Sequence, residues 1–269
     1  MGKSAVIFLL GILSLFLSGC NVWEDRDGCP SYLVLDCSLL EGKAAKADVW
    51  LFRQDGNLDC RTFIISKDFN VAQRFQISRG RYLCIIWTDL DSNTITADMS
   101  SLSGSIYKAA SKNADPVYFF NGDVECSKDS VCVRVSPRKM FINVNLLFKG
   151  MKANDNVKIC LNSSWGGFNL AGEGIRQENS VLSEGRDTVR MRMLRPFSLD
   201  GINLQSTFFF SDGTSVDSDF DLGGFLEDNG YDLEEDMLKD IYITVDVSSF
   251  KTVIMTDPWQ EVPPVTIRY

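Results

Sequence analysis

Tyr32-Leu33-Val34-Leu35-Asp36-Cys37-Ser38-Leu39 sets the pattern for the whole chain. Leu33, Leu35, Cys37 and Leu39 alternate with Tyr32, Val34, Asp36 and Ser38, and side chains at a period of two line one face of a β-strand. The pattern continues outward. Asp48-Val49-Trp50-Leu51-Phe52-Arg53 runs into Gln54-Asp55-Gly56-Asn57, a strand entering an Asp-Gly turn, with Phe63-Ile64-Ile65 as the returning arm. Phe75-Gln76-Ile77-Ser78 leads through Arg79-Gly80-Arg81 to Tyr82-Leu83-Cys84-Ile85-Ile86-Trp87, which reads as a second hairpin with glycine at its tight turn. Val117-Tyr118-Phe119-Phe120 stops at Asn121-Gly122, a strong turn signal. Val131-Cys132-Val133-Arg134-Val135 alternates again before Ser136-Pro137 punctuates the chain.

The second half has the same character. Residues 139–148 and 157–162 are expected as strands around a turn at 150–156. Val189-Arg190-Met191-Arg192-Met193-Leu194 alternates cleanly, and residues 204–210 end at Ser211-Asp212-Gly213. Residues 241–247 pair with 251–255 across Ser248-Ser249-Phe250. Residues 91–115 are polar and read as a long loop with a short helix, and residues 233–239 form the one convincing helical stretch. Strands at this spacing, almost without helices, predict an all-β protein of β-sandwiches, and the length accommodates two. The boundary falls at Ser136-Pro137, giving an N-terminal sandwich over 30–136 and a C-terminal one over 137–269.

The beginning of the chain is of another kind. Met1-Gly2-Lys3 carries a positive charge, residues 5–17 are almost wholly apolar, and Leu17-Ser18-Gly19-Cys20 follows. These are the three regions of a secretory signal peptide, here residues 1–19. The run falls short of the roughly 20 apolar residues that span a bilayer. The cysteine after Gly19 resembles the lipobox of bacterial lipoproteins, which implies cleavage between Gly19 and Cys20 and lipidation of the Cys20 thiol. Residues 20–29 then form a lipidated acidic tether, with Glu24-Asp25-Arg26-Asp27-Gly28 at its centre. Acids just after a lipidated cysteine resemble the export signal that sends lipoproteins of the Bacteroidota to the cell exterior.

Charge and cysteine usage narrow the function. The chain has 269 residues and a formal net charge of −9, which argues against nucleic acid as a partner. It contains no histidine, which removes the commonest general base, the Ser-His-Asp triad and every His-ligated metal site. No catalytic residue, cofactor or metal site is expected. Besides Cys20 there are Cys29, Cys37, Cys60, Cys84, Cys126, Cys132 and Cys160, an odd number. Cys37, Cys84 and Cys160 lie in apolar runs and read as buried small hydrophobes. Cys126 and Cys132 flank Lys128-Asp129-Ser130, read as a hairpin tip, and are the candidate disulfide across it if the register brings their Cβ atoms together.

Three further patterns are weak. Asp217-Ser218-Asp219-Phe220-Asp221-Leu222-Gly223 has acids at alternate positions, but Leu222 and Asp228 stand where a calcium loop needs glycine and glutamate, so a solvated acidic turn is the better reading. Trp165-Gly166-Gly167-Phe168 reads as an aromatic cover at the end of a core before it reads as a sugar platform. Asp129-Ser130-Val131 and Asp187-Thr188-Val189 resemble the acceptor for O-glycosylation in Bacteroidota, with Ser130 and Thr188 as the modified residues.

Several segments together resemble one family. Cys20, the acidic stretch 24–27 and Cys29-Pro30 are similar to the start of the FimB-type fimbrial anchor lipoproteins of type V pili. Val49-Trp50-Leu51-Phe52 before Asp55-Gly56, Gly80-Arg81-Tyr82 leading to Trp87, Asp240-Ile241-Tyr242-Ile243-Thr244-Val245-Asp246 and Asp257-Pro258-Trp259 extend the likeness along the chain. The resemblance implies two tandem transthyretin-like β-sandwiches and a lipid-anchored, non-enzymatic subunit at the base of a pilus. Such a subunit sits in the outer membrane through acyl chains on Cys20, is surface-exposed, holds fimbrial structural subunits (pilins) and limits fibre length. Pilins of this system join by β-augmentation. They carry a long pro-segment ended by an arginine, and the span between Cys20 and the first strand is too short for one, which favours an anchor over a stalk pilin. A surface-exposed glycan-binding lipoprotein is the alternative with the same anchor and fold.

Overall fold

The structure, a computed structural model, describes residues 29–90, 102, 105–108, 113–249, 251–255 and 265–266. Its strands form four sheets in two β-sandwich units. The first unit comprises β1 (Ser31–Asp36), β2 (Lys46–Arg53), β3 (Leu58–Ile65), β4 (Gln73–Ile77), β5 (Gly80–Thr88), β7 (Tyr118–Cys126), β8 (Ser130–Arg134) and β9 (Arg138–Lys139). Between β5 and β7 lies β6 (Ser105–Lys108), which belongs elsewhere. The second unit comprises β10 (Phe141–Lys149), β11 (Asn156–Asn169), β12 (Gly174–Gly185), β13 (Thr188–Leu194), β14 (Asn203–Phe209), β15 (Ser215–Asp221), helix α1 (Leu222–Asp228), β16 (Ile241–Asp246), β17 (Lys251–Met255) and β18 (Val265–Thr266).

The two units repeat one topology. One sheet of the first unit has the order β4-β1-β8 and faces β3-β2-β5-β7-β9; the second unit has β13-β10-β16-β17-β18 facing β12-β11-β14-β15. In each, the opening strand has a neighbour on both sides, antiparallel to one and parallel to the other: β1 to β4 and β8, β10 to β13 and β16. The repeat is visible in strand order, where the sequence shows only a shared character.

Alternation places the cores. Leu33 and Leu35 of β1 are fully buried while Tyr32 and Val34 are half-exposed. In β13, Val189, Met191 and Met193 face the second core. The strands β2 and β5 behave differently. Ala47, Val49 and Leu51, with Cys84 and Ile86, face the first core, whereas Trp50, Phe52, Ile85 and Trp87 face a third apolar cluster on the other side of the sheet. That cluster also takes Phe168, Leu170 and Leu194 from the second unit. A strand buried on both faces reads as a continuous apolar run, which is how 49–52 and 83–87 read. The Trp87 indole N–H donates to Leu170 O at 3.1 Å, which satisfies that buried donor, whereas the buried Trp50 indole N–H in the same cluster has no partner among the described residues. β6 crosses over and pairs antiparallel with the end of β11.

The expected β2–β3 hairpin forms around Gly56 (φ +79°), with Gly56 N–H donating to Arg53 O. The β16–β17 pairing and the β14–β15 hairpin form as well. Other expectations need correction. Residues 75–78 and 82–87 are not a hairpin: β4 pairs with β1 in one sheet while β5 pairs with β2 and β7 in the facing one, so Arg79 marks a crossing between layers. Asn121-Gly122 is no turn. β7 runs straight through it, and the Phe120 ring lies over the glycine, 3.0 Å from where a Cβ would stand. Ser105–Lys108 is a strand within the stretch read as a loop with a helix.

Residues 233–239 are not helical. Their carbonyls are taken by other groups: Leu233 O, Glu235 O and Asp236 O accept from the Arg195 guanidinium, and Leu238 O accepts from Lys139 Nζ. A helix over 233–239 would need two of them, Leu233 O and Glu235 O, for its own N–H groups. The helix found, α1, instead starts at Asp221, whose carboxylate accepts from Gly224 N–H.

Candidate functional site

The first described residues are held by groups far apart in sequence. Arg79 Nε donates to Cys29 O at 3.2 Å, its Nη1 donates to Ser127 O, and its Nη2 pairs with Asp129 at 2.6 Å. Ser31 Oγ donates to Lys128 O at 2.6 Å, and Tyr32 N–H donates to Asp129 O at 3.0 Å. One guanidinium therefore ties residue 29 to the β7–β8 connection, just before β1 begins. Charge-assisted bonds of this kind are the strong ones. Arg79 reads in the sequence only as a turn residue; its role depends on β4 and β5 lying in different sheets, which no local pattern signals.

Gly19 and Cys20 lie outside the described residues. Cys126 and Cys132 are both free thiols, and the expected bridge is absent. Cys126 ends β7 and faces the first core, fully buried, while Cys132 is exposed on β8. The segment between them is no hairpin tip, because β8 pairs in parallel with β1 in the facing sheet. Cys37 and Cys84 are fully buried, and burial pushes their thiols up to about 11 and about 12. Cys160 is only half-buried and sits 3.2 Å from Asn162 Oδ1. Ser130 and Thr188 are exposed at the first positions of β8 and β13, each after an acid engaged by an arginine: Asp129 by Arg79, Asp187 by Arg186.

Trp165 is not an open platform. Phe197 packs at 5.3 Å and the Arg176 guanidinium stands 5.4 Å from its ring, while its N–H donates to Ser198 O. Gly166 follows it because a Cβ there would lie 2.7 Å from Gln177 O. Phe168 is fully buried in the junction. Asp217, Asp219 and Asp221 lie on the exposed face of the strand β15, where an acidic turn was expected. Among the described residues no group of three acidic, cysteine or histidine side chains could hold a metal ion.

The repeat also distinguishes two sheet edges. In the second unit β17 pairs antiparallel with β16, whereas among the described residues no strand covers the outer edge of the equivalent β8. An uncovered edge is a template for strand addition.

No family model matches the sequence, and no curated protein matches it. Solved structures do. The fimbrial anchor protein Mfa2 from Porphyromonas gingivalis matches over 84% of this chain and 97% of its own, at 15% identity and a TM-score of 0.57. A candidate polysaccharide-binding protein from Bacteroides thetaiotaomicron matches over 85% and 96%, at 12% identity and a TM-score of 0.61. A candidate adhesin from the same species matches over 89% and 99%, also at 12% and 0.61. The fold is that of these fimbrial and adhesin proteins. The likeness covers both units, so the pairing of two sandwiches is part of it.

Proposed function

We propose that this protein is the lipid-anchored base subunit of a pilus, fixed in the outer membrane through acylated Cys20 and holding the fibre's structural subunits at the cell surface. The signal peptide is 1–19 and the tether 20–29; the first sandwich starts at 30 and, instead of ending at 136, includes β9, which pairs with β7, and the second starts with β10. The observation that carries this reading is the clamp at residue 29. A pull on the tether meets β1 along its length, between β4 and β8, so the bonds to both neighbours are loaded together in shear. Arg79 adds a cross-link outside the sheet. Acyl chains contribute about 0.8 kcal/mol for each buried CH₂, so two or three chains hold the other end of the tether. The outer edge of β8, which no strand among the described residues covers, is where a pilin strand would add, antiparallel, as β17 adds to β16.

The test is Cys20→Ala in the native bacterium, read by electron microscopy of cells and culture medium. Pili shed into the medium, with altered length, are expected. Pili of normal length that stay cell-attached would overturn the assignment.

A further inference from the structure

The outer face of the sheet β13-β10-β16 holds a cleft of about 490 Å³ lined by Asn113, Asn143, Asn145, Arg190, Arg192 and Tyr242. Its size is that of a small-ligand site. Register places three of these side chains in one row: Asn145 is paired with Arg190 on one side and with Tyr242 on the other. Neighbouring strands lie about 4.8 Å apart, so Arg190 and Tyr242 stand roughly 10 Å from each other with the amide between them. The intervening positions, Val144, Leu146, Val189, Met191, Ile241 and Ile243, point into the core and fix the row on the outside.

Among the described residues the cations of this cleft have no carboxylate partner. The chain has 36 acidic against 27 basic residues, yet the cleft is lined by two guanidinium groups and no carboxylate. Arg192 is held by neutral acceptors, Asn143 Oδ1 and Ala114 O, each at 3.0 Å. The neighbouring acid, Asp240, is committed to Lys139 Nζ at 2.5 Å and to Asn143 Nδ2 at 2.9 Å. Arg190 is exposed and takes part in none of the ion pairs among the described residues. Among the described residues the Asn145 side chain makes one long bond, Nδ2 donating to Ile241 O at 3.5 Å, and its Oδ1 accepts from no other group.

An open guanidinium fork recognises a carboxylate, a phosphate or a sulfate. The groups beside it discriminate among ligands. An amide and a phenol each donate and accept, which matches hydroxyl groups, themselves donors and acceptors; a phosphate or sulfate offers acceptors only. A row of one cation and two donor-acceptor groups on a rigid sheet therefore suits a hydroxylated ring carrying a carboxylate. We infer that this face binds an acidic saccharide of the uronate or sialate type, its carboxylate on Arg190 and its ring hydroxyls on Asn145 and Tyr242. The inference does not depend on the pilus reading, since an anchor and an unrelated surface protein could each carry the site.

The test is saturation-transfer NMR and calorimetric titration of the purified full-length protein with glucuronic acid and N-acetylneuraminic acid. Glucose, inorganic sulfate and a triglutamate peptide serve as competitors. Saturable binding of the acidic sugars is expected, with glucose far weaker. Arg190→Gln removes a charge-assisted bond and lowers affinity about tenfold or more, and Tyr242→Phe lowers it less. Asn145→Asp puts a negative charge in the row and abolishes binding. Unchanged thermal unfolding of the Arg190→Gln variant separates a lost contact from a lost fold. No saturable binding, equal binding of glucose, tighter binding of sulfate or the peptide, or affinity unaffected by Arg190→Gln would each overturn the inference.

Discussion

Replacing Arg195 by methionine keeps most of the side chain's volume and removes every polar contact it makes. Arg195 is 1% exposed. Its guanidinium donates to Lys139 O at 3.1 Å, Asp236 O at 3.4 Å, Glu235 O at 2.9 Å and Leu233 O. Burial, with Arg138 nearby, pulls its pKa down to about 10, so it is charged at neutral pH inside the protein. The bond to Lys139 O is fully buried, and orphaning that carbonyl costs about 1–3 kcal/mol. The other carbonyls belong to the half-exposed strap at 233–236 and can recover water, leaving about 1 kcal/mol for each lost bond. Relief from burying a charge offsets part of the total. The net loss is about 3 kcal/mol, which for a chain of this size lowers the melting temperature by roughly 6–12 °C.

Thermal or urea unfolding reads the loss directly, and limited proteolysis locates it. With its carbonyls released, the strap should be cut between residues 231 and 240 while the strands stay intact. Arg195→Lys, which keeps the charge but lacks the planar fork, should fall between wild type and the methionine variant. A methionine variant that unfolds at the wild-type midpoint, with an uncut strap, would refute the claim that Arg195 holds this segment out of a helix.

Four shorter predictions go with it. Gly223→Ala places a Cβ against Leu199 O at the start of α1, where only backbone could move, and should cost about 2–3 kcal/mol in urea unfolding. Burial alone would raise the pKa of Asp240, but hydrogen bonds from Lys139 and Asn143 outweigh it and hold the carboxyl below its ordinary value. Its stabilisation is therefore present above about pH 4 and is lost as the pH falls through the folded value, so the gap between wild type and Asp240→Asn should close in acid. Thiol labelling should reach Cys132 and Cys29 in the folded protein and Cys37 and Cys84 only after unfolding; a Cys126–Cys132 disulfide on non-reducing peptide mapping would contradict the fold. Arg79→Ala should lower the force at which β1 shears in single-molecule pulling through the N-terminal tether, and an unchanged force would remove the clamp from the proposal.

Local order was legible where it depended on one strand and its turn. Period-two alternation at 32–37 and 189–194 marked the core faces, and Asp55-Gly56 marked the first hairpin, because both signals arise within a few residues. Which strands share a sheet was not legible. Gly80 follows β4 as a hairpin glycine would, yet the chain changes layers there, and Cys126 and Cys132 are six positions apart on strands of facing sheets. The segment at 233–239 has helical composition, and only the buried cations of Lys139 and Arg195 explain why its carbonyls point elsewhere. Arg79 and Arg190 were invisible as site residues for the same reason. Each acquires a role from a partner more than forty positions away.

One signal carried more than its first reading. A half-buried strand alternates; β2 and β5 do not, since Val49-Trp50-Leu51-Phe52 and Leu83-Cys84-Ile85-Ile86-Trp87 offer apolar groups to both sides. In a lone two-sheet sandwich that pattern would leave Trp50, Phe52 and Trp87 in water, an exposed patch that soluble monomers rarely tolerate. The run therefore required a second body against that sheet, and the second unit supplies it with Phe168, Leu170 and Leu194. Large apolar interfaces suppress relative motion between domains, and the β6–β11 pairing adds backbone bonds to the same junction. For a subunit proposed to stand between a membrane tether and a fibre, this matters mechanically. A hinge at the junction would let load collect on the connection at 135–140, whereas a packed junction spreads it over β2, β5, β7 and β11.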